Sequence, residues 1–337
     1  MEKTVRLLAG LLALQLLLAL GIGALGPDLG EAEAGGPLLA FDADAVDRMT
    51  VADGEGARTV LARGEDGWVL PDAGNFPADE DKIERLLERL AELEATVPVA
   101  TSGGARARFR VAADAHERRI VLEGDGATVA ELFLGTSQGV RQVHARAADG
   151  DTIFSVDLPT YEAPTDRDDW LDRTVLQFDA ATVRAVRLDG LVLRRVAGSK
   201  PEGAEAPTWA AEGLPEDRHL VPEAVATLVE RVAELRIGGL LDADRPAPEL
   251  GLDDPVLDVE LLRDGEDGAV RYRLGRLPEG DGFALSVSPR EERFRMPVYS
   301  ARPILEAASL DSLAPEVPAG VDASSEDGAE TASDPDA

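Results

Sequence analysis

"LLERLAELE" (Leu86–Glu94) and "LVERVAELR" (Leu228–Arg236) are nearly the same string, placed far apart in one chain of 337 residues. Around the first, Ile83, Leu86, Leu87, Leu90 and Leu93 are apolar. Around the second, Val225, Leu228, Val229, Val232 and Leu235 are. Both sets follow i, i+3, i+4, i+7, i+10, the spacing that draws one apolar stripe along an amphipathic helix. Asp79 or Asp81 can cap the first helix, and acids there suit the helix dipole. Pro222 suits the first turn of the second, and Gly238 and Gly239 can end it.

The surroundings repeat as well. "FDADAVDRMTV" from Phe41 is matched by "FDAATVRAVRL" from Phe178, each an Asp-led turn running into alternating apolar positions. A tryptophan precedes each helix, Trp68 and Trp209. At matched strand positions, each is expected to cover its own core rather than to stack on a sugar. After each helix come alternating strands broken by Asp-Gly turns at 125–126, 149–150, 264–265 and 267–268. The offset between halves holds near 140 residues from Phe41/Phe178 to Phe154/Phe294. The pattern predicts an α+β chain of two similar tandem modules, each an antiparallel sheet with one amphipathic helix, over 41–160 and 178–312. A connector spans 161–177, in which "RDDWLDR" forms a short helix anchored on the second half by Trp170.

The N-terminus reads differently. Lys3 and Arg6 precede Leu7–Leu25, where only Gln15 is polar. At about 1.5 Å per residue this run is just long enough to cross about 30 Å of hydrocarbon. A cleaved signal peptide is the competing reading, but its apolar region is normally shorter and no clean A-x-A site is present. The expectation is a transmembrane anchor over 1–28, N-terminus cytoplasmic by its positive flank, then a linker over 29–40 and an extracytoplasmic body on a bacterial inner membrane. From Pro315 to Ala337 there are seven acidic and no basic residues, and 313–337 is expected to be a disordered acidic tail.

The formal net charge is −31, and removing the tail's seven charges still leaves −24. Nucleic acid would be repelled, so it is excluded as a partner. There is no cysteine, hence no disulfide, thiolate metal site or Cys nucleophile. His116-Glu117 begins a zinc-protease string, but position 120 is Ile where H-E-x-x-H needs a second imidazole. His144 and His219 stand apart from it. "ATSGGA" and "GTSQGV" fail the tight G-x-S-x-G turn, which leaves Ser102 and Ser137 as loop residues. No Walker loop is present, and "EGDGATVAELFLG" is a hairpin rather than a dinucleotide loop. The Asp-rich turns "DADAVD", "DRDD" and "DGEDG" lack EF-hand spacing. No catalytic, cofactor-binding or metal-ligating residue is assigned, no cofactor is expected, and the chain is read as a non-enzyme.

Three segments carry a family resemblance: Trp68–Leu93, with its "W…P-A-D" stretch and Leu-rich helix; "DWLDRTVLQFD" at Asp169–Asp179; and "ELGLDDPVLDVELL" at Glu249–Leu262. Together they resemble the bacterial DUF4340 family. Where the second half has "LGLDDP", the first has "FRVAADA" (Phe109–Ala115), which keeps the position but not the turn. Trp209 also lacks the glycine that precedes Trp68. The resemblance implies no catalytic residues. It implies similarity to the auxiliary extracytoplasmic component of gliding-motility-type ABC transport systems, and hence an accessory or scaffold role beside an ABC permease complex. A glycan- or peptide-binding envelope module is the alternative.

Overall fold

A computed structural model describes residue 15 and residues 35–196, 208–265, 268–278 and 282–317. The run Leu7–Leu25 lies outside these residues, Gln15 apart, as do 318–337 of the tail. Among the described residues no helix is long and apolar enough to cross a membrane. The chain divides into two units, Met1–Asp172 and Arg173–Ala337.

The first unit contains β1 (Arg48–Ala52), β2 (Arg58–Gly64), β3 (Gly67–Leu70), β4 (Phe76–Pro77), α1 (Glu80–Ala91), β5 (Pro98–Ala100) and α2 (Gly103–Arg108). There follow β6 (Val111–Ala112), β7 (Ala115–His116), β8 (Arg118–Gly124), β9 (Ala127–Ser137), β10 (Val143–Ala147) and β11 (Ile153–Val156). Nine strands form one antiparallel sheet ordered β4-β3-β2-β1-β8-β9-β10-β11-β5, and β6 pairs only with β7. The second unit contains β12 (Val183–Leu188), β13 (Leu191–Arg195), β14 (Trp209–Glu212), α3 (Pro222–Ala233) and β15 (Gly239–Leu240). It continues through β16 (Leu257–Arg263), β17 (Ala269–Arg276), β18 (Gly282–Val287), β19 (Arg293–Pro297), α4 (Val298–Ala307) and α5 (Leu310–Leu313). Its sheet runs β14-β13-β12-β16-β17-β18-β19-β15. With β12–β14 standing for β1–β3, β15 for β5 and β16–β19 for β8–β11, the order is that of the first sheet, which adds β4 at one edge.

The helices α1 and α3 are each 12 residues long and end after the same alanine of the repeated string. Ile83, Leu86, Leu87 and Leu90 are buried on α1, and Val225, Leu228, Val229 and Val232 on α3. Each side chain so buried contributes about 1.5–3 kcal/mol. Leu93 and Leu235 are buried too, although they lie past the helix ends. The Asp79 carboxylate caps α1 by accepting the Lys82 N–H at 2.9 Å. The start of α3 has Pro222 at its first turn and no side-chain cap. Gly238 and Gly239 do not end α3, contrary to the sequence reading. The helix stops at Ala233, Gly239 belongs to β15, and Gly238 lies where a Cβ would strike the Pro297 ring at 2.6 Å.

Both sheets share a close crossing. In the second unit the chain passes over β17 at Leu250–Gly251, and in the first it passes over β9 at Phe109–Arg110. A Cβ on Gly275 or on Gly135 would collide with those backbones. Gly251 has φ 65 and Arg110 has φ 56, so the first half keeps the left-handed turn that its sequence lacks a glycine for. The collision leaves the crossing backbone little choice of path, and Arg110 is held left-handed at a cost that glycine would avoid. The hairpin turns at Asp125-Gly126 (φ 52 and 76) and at Asp189-Gly190 (φ 47 and 80) both have two residues in that region, as a two-residue hairpin loop requires.

Four further sequence expectations are corrected. Trp170 anchors the first unit, not the second. It is fully buried, its indole N–H donates to the Pro164 carbonyl at 2.9 Å, and its carbonyl accepts the Asp79 N–H at 2.8 Å. Leu171 bridges to Ala78, so this part of the connector extends the β4 edge. The linker closes earlier than residue 40: the Leu38 N–H donates to the Leu93 carbonyl at 2.6 Å, and Leu39 is buried. The tail begins later than 313. Leu313 and Ala314 are buried, Arg218 reaches Asp311 at 2.8 Å, and the Val317 N–H donates to the Asp217 carbonyl. Finally, one helix per module is too few, since α2 is added in the first unit and α4 and α5 in the second. Pro303 sits inside α4, yet Ala301 and Ile304 are buried. Tertiary burial here outweighs a poor local propensity.

Candidate functional site

The second unit holds an open cleft of about 670 Å³. Its floor is the sheet face that also carries the core. Tyr272 on β17 is in register with Val287 on β18, and Val270 lies two residues along on the same face. One wall is Val175–Gln177, which the Gln177 side chain fixes by donating to the Glu234 carbonyl at 3.2 Å, just past α3. The Phe178 N–H donates to the Ala233 carbonyl at 3.2 Å, which continues this attachment.

The rim is cationic. Arg263 ends β16 with its guanidinium 4.3 Å above the Phe178 ring. Arg290 follows the turn at Ser288–Pro289, a cis peptide bond, and its N–H donates to the Val287 carbonyl at 2.9 Å. The Ser288 hydroxyl accepts the Arg271 N–H at 3.0 Å, which ties the turn back to β17. Among the described residues no acidic side chain lines this cleft; Glu266 and Asp267, between Arg263 and Gly268 in sequence, lie outside the described residues. Asp264, beside Arg263 in sequence, is engaged by Arg184 Nε at 2.8 Å. Glu292 lies 3.5 Å from Arg290 Nη1, both side chains being about a third exposed. The cleft therefore offers apolar walls, guanidinium donors, an amide and a hydroxyl. Those groups can hold a ligand, and among the described residues the lining has no histidine or carboxylate.

The residues singled out by sequence lie elsewhere. His144 on β10 is buried, stacked 4.1 Å from the Phe109 ring, with Nδ1 2.8 Å from the Thr136 carbonyl oxygen. His116 on β7 is buried with its ring tilted against Phe133, and Nδ1 is 3.3 Å from the Ala112 carbonyl oxygen. His219 is exposed in the second unit. Trp68 and Trp209 are both buried at matched strands, in line with a core role. Asp42, Asp166 and Asp179 spend their carboxylates on the N–H groups of Asp44, Asp168 and Ala181, which makes their turns helix-start caps. Ser102 stands at the start of α2, and Ser137 is the exposed last residue of β9, not the loop residue expected from sequence. Among the described residues no three His, Asp or Glu side chains are grouped to hold a metal.

Sequence reasoning missed Arg263 and Arg290. They are 27 positions apart on opposite sides of two hairpins, and only the strand register brings them to one rim. It also missed Arg146, nearly fully buried on β10. Arg146 donates through Nε to the Val111 carbonyl at 2.9 Å and through Nη1 to those of Ala147 and Gly150 at 3.0 and 2.9 Å. Burial lowers its pKa from the ordinary arginine value and Arg106 adds to this, against the opposing pull of Asp151 and Glu131.

No curated protein and no solved structure matches this chain. One family model does, described as "Domain of unknown function (DUF4340)". It runs from Trp68 in the first unit to Pro255 in the second, over half of the sequence, and the chain belongs to the DUF4340 family.

Proposed function

We propose that this chain is a membrane-anchored extracytoplasmic accessory or scaffold protein without catalytic activity, associated with an ABC-type transport or envelope-assembly system. The observation that carries the reading is the repeated strand order. Two sheet units follow an apolar N-terminal run, each with a closed core, and among the described residues the candidate cleft has binding groups but no acid–base pair. The anchor is the run Leu7–Leu25, which keeps the N-terminus cytoplasmic and the two units outside the inner membrane. The two modules arose by duplication in this account, which also explains the steady offset of about 140 residues.

Affinity purification of the tagged full chain from gently solubilised membranes tests this. Co-purification of an ABC permease with its ATPase is expected. Recovery of neither, under conditions that keep a known transporter intact, would overturn it. A second reading, an envelope ligand-binding module for a glycan or peptide, is favoured by the cleft of the second unit.

A further inference from the structure

We propose that the first unit sits on the lipid surface through Val97, Val140 and Tyr161, at the end of its sheet where the chain enters. The inference rests on the anchored reading and adds which end of this unit meets the bilayer. Among the described residues of the unit four large apolar side chains are exposed: Val140 at 94%, Tyr161 at 68%, Val97 at 55% and Val129 at 38%. Single exposed apolar residues are ordinary, but a group of them marks a contact surface. The strands group the first three. Val97 leads into β5, and its carbonyl accepts the Ser155 N–H of β11 at 3.2 Å. Val140 lies in the 138–142 turn between β9 and β10, which closes over that serine: the Ser155 hydroxyl donates to the Gln138 and Gln142 side chains at 3.2 and 3.4 Å. Tyr161 follows β11 in the single turn Thr160–Glu162. Arg141 Nε lies 3.3 Å from Asp157, and Arg89, near the end of α1, reaches the Asp157 carbonyl at 2.5 Å and Glu162 at 3.0 Å.

The chain enters the unit at the same end. The Gly35 N–H donates to the Ala95 carbonyl at 3.2 Å and the Ala95 N–H to the Gly36 carbonyl at 2.9 Å, two residues before Val97. Leu25 and Gly35 are ten residues apart, a reach of at most about 36 Å at full extension. The end that bears the three side chains is therefore the tethered one. Residues 26–34 read "GPDLGEAEA", with three acids and Leu29 as the one large apolar residue, a composition ill-suited to covering them. Val129 marks the opposite end: it is on β9, eight residues and about 27 Å from Ser137. The chain's charge of −31 offers anionic lipid no attraction, so the contact is one of side-chain insertion. The Tyr161 ring suits the headgroup level, where tyrosines gather, and the two valines suit the acyl boundary.

Fluorescence quenching of the full chain in phosphatidylcholine nanodiscs, with and without nitroxide-bearing lipid, tests the proposal. The chain has no cysteine, so V97C, V140C, Y161C, V129C and Q15C each place one fluorophore. Apolar groups at an interface lie about 5–10 Å deep, so nitroxide lipid should quench V97C, V140C and Y161C at least about twofold more than V129C. Adding V140D should bring Y161C down toward the V129C level with the melting curve unchanged, because a carboxylate resists the acyl boundary. Equal quenching at V140C and V129C would overturn the proposal. So would a V140C label shielded from aqueous iodide but unquenched by lipid, which would mean that protein covers the site. The Q15C label separates the proposal from the anchor. Quenching at Q15C with the other labels at the V129C level would remove the lipid contact and leave the anchor standing. An unquenched Q15C would refute the anchor, and V140C quenched in that protein would leave the lipid contact standing alone.

Discussion

Two residues before the crossing glycine, the first sheet has Phe133 and the second has Arg273. Phe133 is in register with Arg146, whose guanidinium lies 4.8 Å from the ring, and both are buried with Val111 of the β6–β7 hairpin and Ala105 of α2 close by. Arg273 is in register with Asp258 and Ser286. Around it runs a solvent-facing ladder: Arg187 Nη1 to Glu260 at 3.4 Å, and Arg271 Nε to Asp258 at 2.7 Å. One strand order thus carries two opposite surface chemistries. The face that receives α1 or α3 is apolar in both units, because a helix stripe must be buried in each. The other face carries a small core at the crossing in both units, Ala105, Val111, Phe133 and Ile153 in the first and Leu250, Leu252 and Ala284 in the second, and the halves diverge beside it, where one buries Phe133 with Arg146 and the other sets exposed ion pairs around Arg273.

The comparison can be broken most sharply at Trp170. Its side chain belongs to the first unit, so W170A should cost about 3–5 kcal/mol there. Amide exchange should accelerate in α1 and β4 and stay as it was in α3. Loss of protection in α3 with α1 intact would contradict the assignment. Next is the contrast between the two faces. R146A leaves buried carbonyls of Val111, Ala147 and Gly150 without their donor and should destabilise by about 2–4 kcal/mol in urea unfolding. R271A, at an exposed pair, should cost under about 1 kcal/mol. Equal losses would erase the distinction.

The helix starts give a smaller effect. D79A removes the cap of α1 and should cost about 1 kcal/mol. In α3, which has no side-chain cap, V221A removes no capping bond, and exchange at its first turn should not show the loss that D79A causes in α1. The smallest effect is a pH dependence at Asp53. Burial raises this carboxyl, but the N–H groups of Glu55 and Ala57, the Thr165 hydroxyl and the charge of Arg118 lower it further, so its pKa lies below the ordinary value of 3.8. A carboxyl lowered in the folded state contributes stability that is complete above the ordinary value and is lost as pH falls through the folded one. Acid titration of D53N should therefore show a shallower loss of stability below about pH 4 than the parent. An identical profile would remove Asp53 from the account.

The helix stripes, the matched tryptophans and the Asp125-Gly126 turn were readable in sequence because each is set by residues close along the chain. Three features were not. Arg110 takes a left-handed φ because β9 leaves the crossing no other path, and a string that shows arginine at that place conceals the turn. Trp170 sits between the repeats, and its own neighbours fit either half; the bond from Asp79 decides, at a separation of 91 residues. The rim of the cleft has the same cause. Arg263 and Arg290 read as ordinary charges in polar turns until strand register sets them over Tyr272 and Val287.

The shared strand order is tested most directly by cysteine cross-linking, since the chain has no cysteine of its own. The informative step is the one where β1 meets β8 and β12 meets β16, across the intervening helix in both units. Thr50 is in register with Val121, and Arg187 with Glu260. Double variants T50C/V121C and R187C/E260C should both form a disulfide on mild oxidation, while T50C/I120C and R187C/L261C, each shifted by one residue to the opposite face, should not. If the first pair closes and the second does not, or if a shifted pair closes instead, the two units do not share one architecture.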